Sequence, residues 1–401
     1  MTTLADPTAR ASAAPVSVPR RDPRLDVFRG LAMLIIYTAH MPGNTFTLWI
    51  PARFGFSDAT EIFVFCSGTA SAIAFGRSFE RTGWRMGTAR VAFRCWQVYW
   101  SHIAMFFAIA TMLAAVDLWG GLPDKTYVNT LNLSRFFADP APQLVGLFTL
   151  TYVPNYFDIL PMYLAILAIM PVMVALAGVS PRLAGAFSLT LWTLAQGRIL
   201  EAVGLGALHL EFPAEPWSDR TWFFNPFAWQ LLFYTGFAFA RGWLPAPPVR
   251  RDLLVAAGVV VVGSVALSNV GIRELGFDWA RDWRVENRWL ITKTDFGAGR
   301  YVHYLSLAYL CWAAAGEGGH RLIAAGEGLK STAVAVVTKV GQQSLAVFVT
   351  SMMLARVAGI GLDAVGRTLG TTTIANVGGW LLLIATAYLV AWFKAAPWRK
   401  R

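Results

Sequence analysis

Apolar side chains recur in long runs along the whole chain, and short polar connections separate these runs. A run of about 20 apolar residues forms a helix that crosses the roughly 30 Å hydrocarbon layer of a bilayer. An all-α integral membrane protein, a bundle of about ten transmembrane helices, is therefore predicted. The predicted spans are residues 27–50, 58–76, 91–117, 156–177, 182–203, 223–241, 252–269, 301–316, 333–355 and 374–393, with residues 143–153 as a candidate re-entrant segment.

Cations gather before the first span, in every second connection and at the C-terminus. Because short cytoplasmic loops carry an excess of Lys and Arg, both termini are predicted to lie in the cytoplasm, N-in and C-in. The residues that set this orientation are Arg20, Arg21, Arg24, Arg77, Arg81, Arg85, Arg90, Arg182, Arg241, Arg250, Arg251, Lys394, Arg399, Lys400 and Arg401. Longer loops at residues 118–155, 204–222 and 270–300 then face the far side of the membrane.

A single membrane-embedded domain, residues 24–396, is expected, without a separate soluble module. Residues 1–23 are mainly Ala, Pro, Ser, Thr and Arg, and they are expected to form a mobile cytoplasmic tail. Residues 397–401 form a short cytoplasmic C-terminal tail in this interpretation. No hydrophobic stretch precedes the first span, so no cleavable signal peptide is expected.

Composition agrees with a membrane protein and argues against two other classes. The chain is 56% hydrophobic and only 14% charged, whereas a soluble domain has about 25% charged residues. The net charge of +11 comes from cations beside apolar spans rather than from a continuous basic stripe, so nucleic-acid binding is not indicated. Cys66, Cys95 and Cys311 lie singly in apolar runs, which indicates neither disulfides nor a metal site.

Ionisable residues inside apolar spans are candidates for function, because they cost several kcal/mol unless they face a cavity or a partner. Arg29 and His40 are eleven residues apart in the first span, so they share one helix face and lie roughly 16 Å apart along its axis. A histidine in apolar surroundings is suited to act as a general base. Glu61 is predicted to reach a similar depth from the second span and to orient that imidazole. The alternatives are a buried structural histidine and a structural salt bridge.

The third span begins with two arginines, Arg90 and Arg94, that are one helical turn apart. Guanidinium groups bind phosphate in a bidentate manner, so this pair could hold a phosphorylated substrate. Snorkelling of both side chains toward anionic lipid headgroups explains the spacing equally well.

Three segments resemble membrane acyltransferases of the acyltransferase type 3 superfamily. They are residues 24–31 (RLDVFRGL) continuing to His40, residues 61–68 (EIFVFCSG), and Arg90 with Arg94 and Tyr99. Within that superfamily the chain most resembles the OpgC family, which succinylates osmoregulated periplasmic glucans. The segments that carry this resemblance are residues 155–163 (NYFDILPMY), 225–230 (NPFAWQ) and 341–345 (GQQSL).

The resemblance implies O-acyl transfer from a cytoplasmic acyl-coenzyme A, succinyl-CoA in the first instance, to hydroxyls of a periplasmic glucan. His40 would be the general base, with Glu61 or Asp158 as the carboxylate that orients it. The donor would be bound by Arg24, Asp26, Arg29, Arg90 and Arg94. The acceptor would be bound by Asn155, Lys293, Arg300, His303, Gln342, Gln343 and Ser344. The acyl-CoA is a co-substrate, and no bound cofactor is expected.

Several of these assignments have structural alternatives in the sequence. Asp158 and Asn155 also suit a helix N-cap. Lys293, Arg300 and His303 could instead hold an acyl carboxylate, and they also suit a solvated loop. Gln342, Gln343 and Ser344 are equally suited to hydrogen bonds between helices. The tryptophans of the far-side loops, Trp217, Trp222, Trp279, Trp283 and Trp289, fit either a sugar site or an interfacial aromatic belt.

Two other functions remain open at this level. An O-acetyltransferase acting on surface or lipid-linked polysaccharide would share the mechanism, and a transporter of an anionic substrate would use the same intramembrane charges to line a path. The lack of an internal repeat argues against a transporter. The expected location is the bacterial inner membrane.

Overall fold

The computed structural model describes residues 22–120, 122, 125–323 and 328–399. Over these residues the fold is all-α, as predicted, and the β-structure amounts to one isolated bridge between Pro213 and Thr221. Most of the predicted N-terminal tail, with Arg20 and Arg21, lies outside the described residues, as do Lys400 and Arg401.

The α-helices are numbered in chain order. They are α1 Pro23–His40, α2 Ala59–Ser71, α3 Arg77–Trp119, α4 Ser134–Ala138, α5 Pro140–Thr149, α6 Ile159–Val179, α7 Pro181–Leu194, α8 Gly197–Ala202, α9 Pro226–Arg241, α10 Arg251–Ala266, α11 Asn269–Arg273, α12 Asp278–Glu286, α13 Arg288–Ile291, α14 Ala298–Ala315, α15 His320–Ile323, α16 Leu329–Gln342, α17 Ser344–Val365 and α18 Leu369–Lys394.

Five helical segments of the described chain are long and apolar enough to cross a membrane. They are Ala59–Trp119, Ile159–Val179, Arg251–Arg273, Ser344–Val365 and Leu369–Arg399. The number of ten spans and the N-in, C-in orientation remain predictions.

The segment Ala59–Trp119 reverses direction at Gly83. That residue has φ +78°, outside the helical region. Arg90 donates a hydrogen bond to Ser78, and Gly87 packs against the Phe79 ring. Residues 78 and 90 would lie roughly 18 Å apart along one continuous helix. Two arms therefore fold back on each other at Gly83, in the connection predicted between the second and third spans.

Three predicted spans differ in their helix boundaries. The first helix ends at His40 rather than near residue 50, because Pro42 disfavours helical backbone before it and Gly43 adopts φ +66°. The run 182–203 is divided at Ala195 and Gln196, where Gln196 donates to the Asp295 carbonyl. The run 333–355 is divided at Gln343 between α16 and α17. The short helix α5, Pro140–Thr149, overlaps the first part of the candidate re-entrant segment 143–153.

Helix α1 lies at the centre of the bundle, in contact with α2, α16, α17 and α18. Glycines let its backbone approach its neighbours closely: a Cβ at Gly30 would lie 2.0 Å from the Val337 carbonyl oxygen, and one at Gly341 would lie 1.9 Å from the Asp26 carbonyl oxygen. Small residues at helix contacts are typical of membrane bundles. Below, the two ends of the bundle are called the Arg29 end and the His40 end, after the residues that α1 places there.

Candidate functional site

His40 is the last residue of α1, and its hydrogen bond fixes its tautomer. Nδ1 lies 2.8 Å from the carbonyl oxygen of Ile36. Because a carbonyl only accepts, Nδ1 must carry a proton, and in the neutral imidazole Nε2 then keeps its lone pair. The side chain is half-buried rather than sealed in the core. His40 thus has the protonation pattern that a general base needs.

Tyr156 packs edge-on against the imidazole, with the two ring centroids 5.4 Å apart. Its backbone has φ +89°, a conformation that is costly for a bulky residue and is retained only where the surroundings fix it. Its hydroxyl donates to the Met352 carbonyl oxygen of α17 at 2.6 Å. Tyr156 therefore connects the imidazole to α17.

The imidazole lies inside the bundle and not at its surface. Pro42, two residues after His40, contacts Gly359 of α17, where a Cβ would lie 2.6 Å from the proline ring. Gly359 is six residues, or roughly 9 Å, before the end of α17 at Val365. The imidazole therefore lies among the helices, below the end of α17.

Four charged side chains form a cluster at the start of α2. Asp58 accepts from Lys293 at 2.6 Å and from Arg300 at 3.4 Å. Arg300 also donates to Glu61, with its Nε 2.7 Å and its Nη2 2.6 Å from Oε1. The other carboxylate oxygen of Glu61 accepts from the Asp58 amide, which completes a capping box at the helix start.

This cluster changes the interpretation of Glu61. The expected carboxylate–imidazole pair is not among the described hydrogen bonds, because Arg300 and the Asp58 amide occupy the Glu61 carboxylate and Ile36 holds the imidazole. The contacts of Glu61 match the salt-bridge alternative. Charges that do act on His40 are those of Lys293, Arg356 and Asp58.

Asp158 and Asn155 join loops at the His40 end. Asp158 accepts from the Phe223 amide at 3.1 Å and does not cap its own helix, α6. Asn155 accepts from Arg220 at 3.1 Å. Burial raises the pKa of nearby Glu215, but the hydrogen bonds from Arg220 and Ser218 outweigh it and hold that pKa below its usual value. The loops that were predicted on the far side thus meet at one end of the bundle.

His303 is enclosed by the segment before α2. The amide and hydroxyl of Ser57 donate to its Nδ1 at 3.3 and 2.7 Å, and a Cβ at Gly55 would lie 2.3 Å from its Nε2. Its ring also contacts Phe56, which stacks on Trp283. With both ring nitrogens against the protein, His303 positions the chain before α2, and its expected contact with an acceptor gains no support.

Gln342, Gln343 and Ser344 lie at the opposite end from the acceptor residues. Gln343 accepts from Lys394 at 2.7 Å, and the Gly341 carbonyl lies 3.4 Å from Arg29. The three residues form the junction between α16 and α17. The predicted ninth span is broken between α16 and α17, and this break lies at the Arg29 end. The three side chains are therefore too far from the His40 end to bind an acceptor there.

The arginines expected to bind the donor are distributed over the Arg29 end. Arg29 is buried and donates to the Cys66 carbonyl at 2.9 Å, so it holds helices together.

The other candidate donor residues lie around Arg29. Arg24 lies over the Trp312 ring at 5.1 Å and bonds Asp22 and the Gly316 carbonyl. Arg90 is bonded to Ser78. Arg94 donates to Gln97 and acts electrostatically on Lys394. Asp26 is buried beside them.

Three residues near His40 were missed by the sequence reasoning. Asp58 precedes Glu61 by three residues, which is the spacing of a capping box. Tyr156 lies within a segment that carried the family resemblance. Arg356 is an ionisable residue inside an apolar run, so the criterion that selected His40 as a functional candidate would also have selected Arg356.

Comparison with known proteins gives one match. The model of the family described as "OpgC protein" matches residues 21–395, and the match confirms the resemblance. No curated protein and no solved structure matches the chain significantly. Because the family match covers nearly all of the sequence, the chain belongs to the OpgC family and is a membrane acyltransferase.

Proposed function

We propose that the protein moves a succinyl group from cytoplasmic succinyl-CoA to hydroxyls of periplasmic glucans at the bacterial inner membrane. The observation that carries this proposal is the setting of His40: its Nδ1 is bonded to the Ile36 carbonyl, so in the neutral ring Nε2 keeps its lone pair, and the charges of Lys293, Arg356 and Asp58 act on it. A base placed there would meet two substrates that come from opposite sides.

In the proposed reaction Nε2 of His40 takes the proton of the acceptor hydroxyl as its oxygen attacks the thioester carbonyl carbon. The carbon–sulfur bond breaks, and the imidazolium returns the proton to the leaving thiolate. Lys293, whose charge acts on His40, would stabilise the oxyanion that develops on the carbonyl oxygen. Direct transfer is proposed in place of an acyl-enzyme, because no second nucleophile was evident in the sequence.

The donor would enter from the Arg29 end. Arg94 and Lys394 interact electrostatically there, and Gln343 bonds Lys394, so two cations and an amide are available for the phosphates of coenzyme A. Arg24 offers a third cation above the Trp312 ring. Arg29 would act by fixing helices, since its described hydrogen bonds go to backbone carbonyls.

The glucan would approach from the His40 end. The loops there carry aromatic faces, such as Trp279, which is 57% exposed, and Trp283, which stacks on Phe56. Flat aromatic faces suit the apolar faces of sugars, and amides such as that of Asn155 suit their hydroxyls. Asp158, two residues from Tyr156, would help to shape this entrance.

The test is transfer by the purified protein in proteoliposomes with labelled succinyl-CoA and a periplasmic glucan. Wild type is expected to label the glucan, and His40→Gln is expected to lose transfer by about 100-fold or more, the contribution of a general base. His320→Gln is the control, because His320 is exposed and lies at the Arg29 end.

Three outcomes would contradict the proposal. Full transfer activity in His40→Gln would show that His40 is not the general base. Label that crosses the bilayer unchanged would favour a transporter, and a strong preference for acetyl-CoA would favour an O-acetyltransferase.

A further inference from the structure

Arg356 is an intramembrane cation that the proposed mechanism does not use. It lies within the apolar helix α17, three residues before Gly359, and so at about the depth of His40. A charge in a span costs several kcal/mol unless it faces a partner or a cavity, so its presence needs a reason.

The surroundings of Arg356 supply no protein carboxylate within ion-pair distance among the described residues. Its guanidinium carbon lies 4.1 Å from the centroid of the Tyr156 ring, and its Nε is buried without a hydrogen-bond partner. Neighbouring cations differ: Lys293 is paired with Asp58 at 2.6 Å, and Arg367 with Asp363 at 2.5 Å. Arg356 is thus held by the ring of Tyr156 and by a side-chain hydrogen bond with it, and its Nε remains free to donate.

Tyr156 contacts both Arg356 and His40. A small acyl group whose carbonyl carbon lies at His40 would therefore extend along the phenol ring toward the guanidinium. An acyl group that ends in a carboxylate would bring the missing anion, and a guanidinium binds a carboxylate in bidentate geometry. An acetyl group is too short to reach and carries no charge.

We propose that Arg356 binds the distal carboxylate of a dicarboxylic acyl donor and so selects succinyl over uncharged acyl groups. This inference rests on the proposed function. It gives Arg356 a role in specificity that is distinct from stabilising the oxyanion. An oxyanion forms with every acyl donor, whereas only some acyl donors carry a distal carboxylate.

The experiment compares the affinities of succinyl-CoA and butyryl-CoA for the full chain in lipid nanodiscs. Both esters have four-carbon acyl groups, and only the first carries a carboxylate. Wild type is expected to bind succinyl-CoA about 10- to 100-fold more tightly than butyryl-CoA, which is the effect of one charge-assisted hydrogen bond. In Arg356→Gln and Arg356→Met the preference is expected to vanish, with butyryl-CoA affinity unchanged.

Two controls keep the result interpretable. Arg367→Gln removes a paired arginine at the same end and is expected to keep the preference. Arg356→Met fills the site without a charge, so it is expected to fold even if Arg356→Gln does not.

The possible failures are distinguishable. If wild type transfers succinyl groups but either Arg356 variant keeps the preference, the inference is overturned and the proposed function stands. An equal loss of affinity for succinyl-CoA and butyryl-CoA would also overturn the inference, because it would indicate a general or structural role of Arg356. If wild type binds and transfers neither acyl group, the proposed function itself fails.

Discussion

Glu61 illustrates how one side chain acquires its role from residues far along the chain. Its type and depth fit a partner for His40, but the fold brings Arg300, 239 positions away, to 2.7 Å from its carboxylate. The same carboxylate closes the capping box with Asp58. Glu61 therefore stabilises the start of α2, and the segment just before this helix surrounds His303 and pairs with Lys293.

Replacement of Glu61 by Gln is expected to lower stability, because Arg300 would lose its ion pair with Glu61 and keep only the 3.4 Å ion pair with Asp58. Breaking one partner of a buried ion pair costs about 3–5 kcal/mol. The double variant Glu61→Leu/Arg300→Leu is expected to recover much of that loss. Thermal unfolding of the protein in detergent measures both effects.

Asp252→Asn serves as the matched control, since it removes an exposed pair with Arg250 and is expected to change stability by less than about 1 kcal/mol. An unchanged melting temperature for Glu61→Gln, together with lost acyl transfer, would instead restore Glu61 as the group that orients His40.

At the scale of elements, α2 and α9 pack with their backbones almost in contact. A Cβ at Gly68 of α2 would lie 1.9 Å from the Phe233 carbonyl oxygen, and one at Gly236 of α9 would lie 2.4 Å from that of Phe65. Backbone atoms cannot rotate away as side chains do. This contact holds α2, and with it the Asp58 cluster, in a fixed position.

Gly68→Ala is expected to destabilise the protein by about 1–3 kcal/mol, because the two helices must separate to admit one methyl group. Gly258→Ala is its control: Gly258 lies in α10 with open space around its Cβ position. There alanine is expected to be neutral or stabilising by about 0.5–1 kcal/mol. Equal melting temperatures for the two variants would show that α2 and α9 are not closely packed.

At the scale of the whole molecule, the direct line from Arg29 to His40 along α1 is filled. Met33 and Ile36 occupy the same helix face between them, and both are buried. This face of α1 therefore offers no open route from the Arg29 end to His40. Helix periodicity shows that two residues share a face, but only packing shows what lies between them.

The predicted orientation of the molecule is testable by labelling single cysteines in a chain without its three native cysteines. Arg85→Cys follows the reversal at Gly83, and Trp279→Cys lies in α12, within the segment 270–300 that is predicted on the far side; both positions are exposed. A membrane-impermeant thiol reagent is expected to label Trp279→Cys in spheroplasts, which keep an intact inner membrane. Arg85→Cys is expected to react only after that membrane is permeabilised. Labelling of both in intact spheroplasts would contradict the N-in topology.

The sequence by itself determined the all-α fold and the identity of the family, and it proposed His40 as the base. Each of these depends on local chemistry: a run of apolar residues in lipid must satisfy its own backbone hydrogen bonds, and so it forms a helix. His40 can be singled out without knowledge of its tertiary contacts, because an imidazole inside an apolar run is unusual on its own.

Only the tertiary structure decided which charges meet. The pairing of Glu61 with Arg300, the contacts of Tyr156 with both His40 and Arg356, and the position of Gln343 at the Arg29 end depend on residues about 50 to 240 positions apart. Side-chain periodicity assigns a residue to a face of its own helix, whereas packing among helices selects the partner of that face. The contacts of the candidate site therefore follow from the fold, although the sequence alone points to His40 as its proposed base.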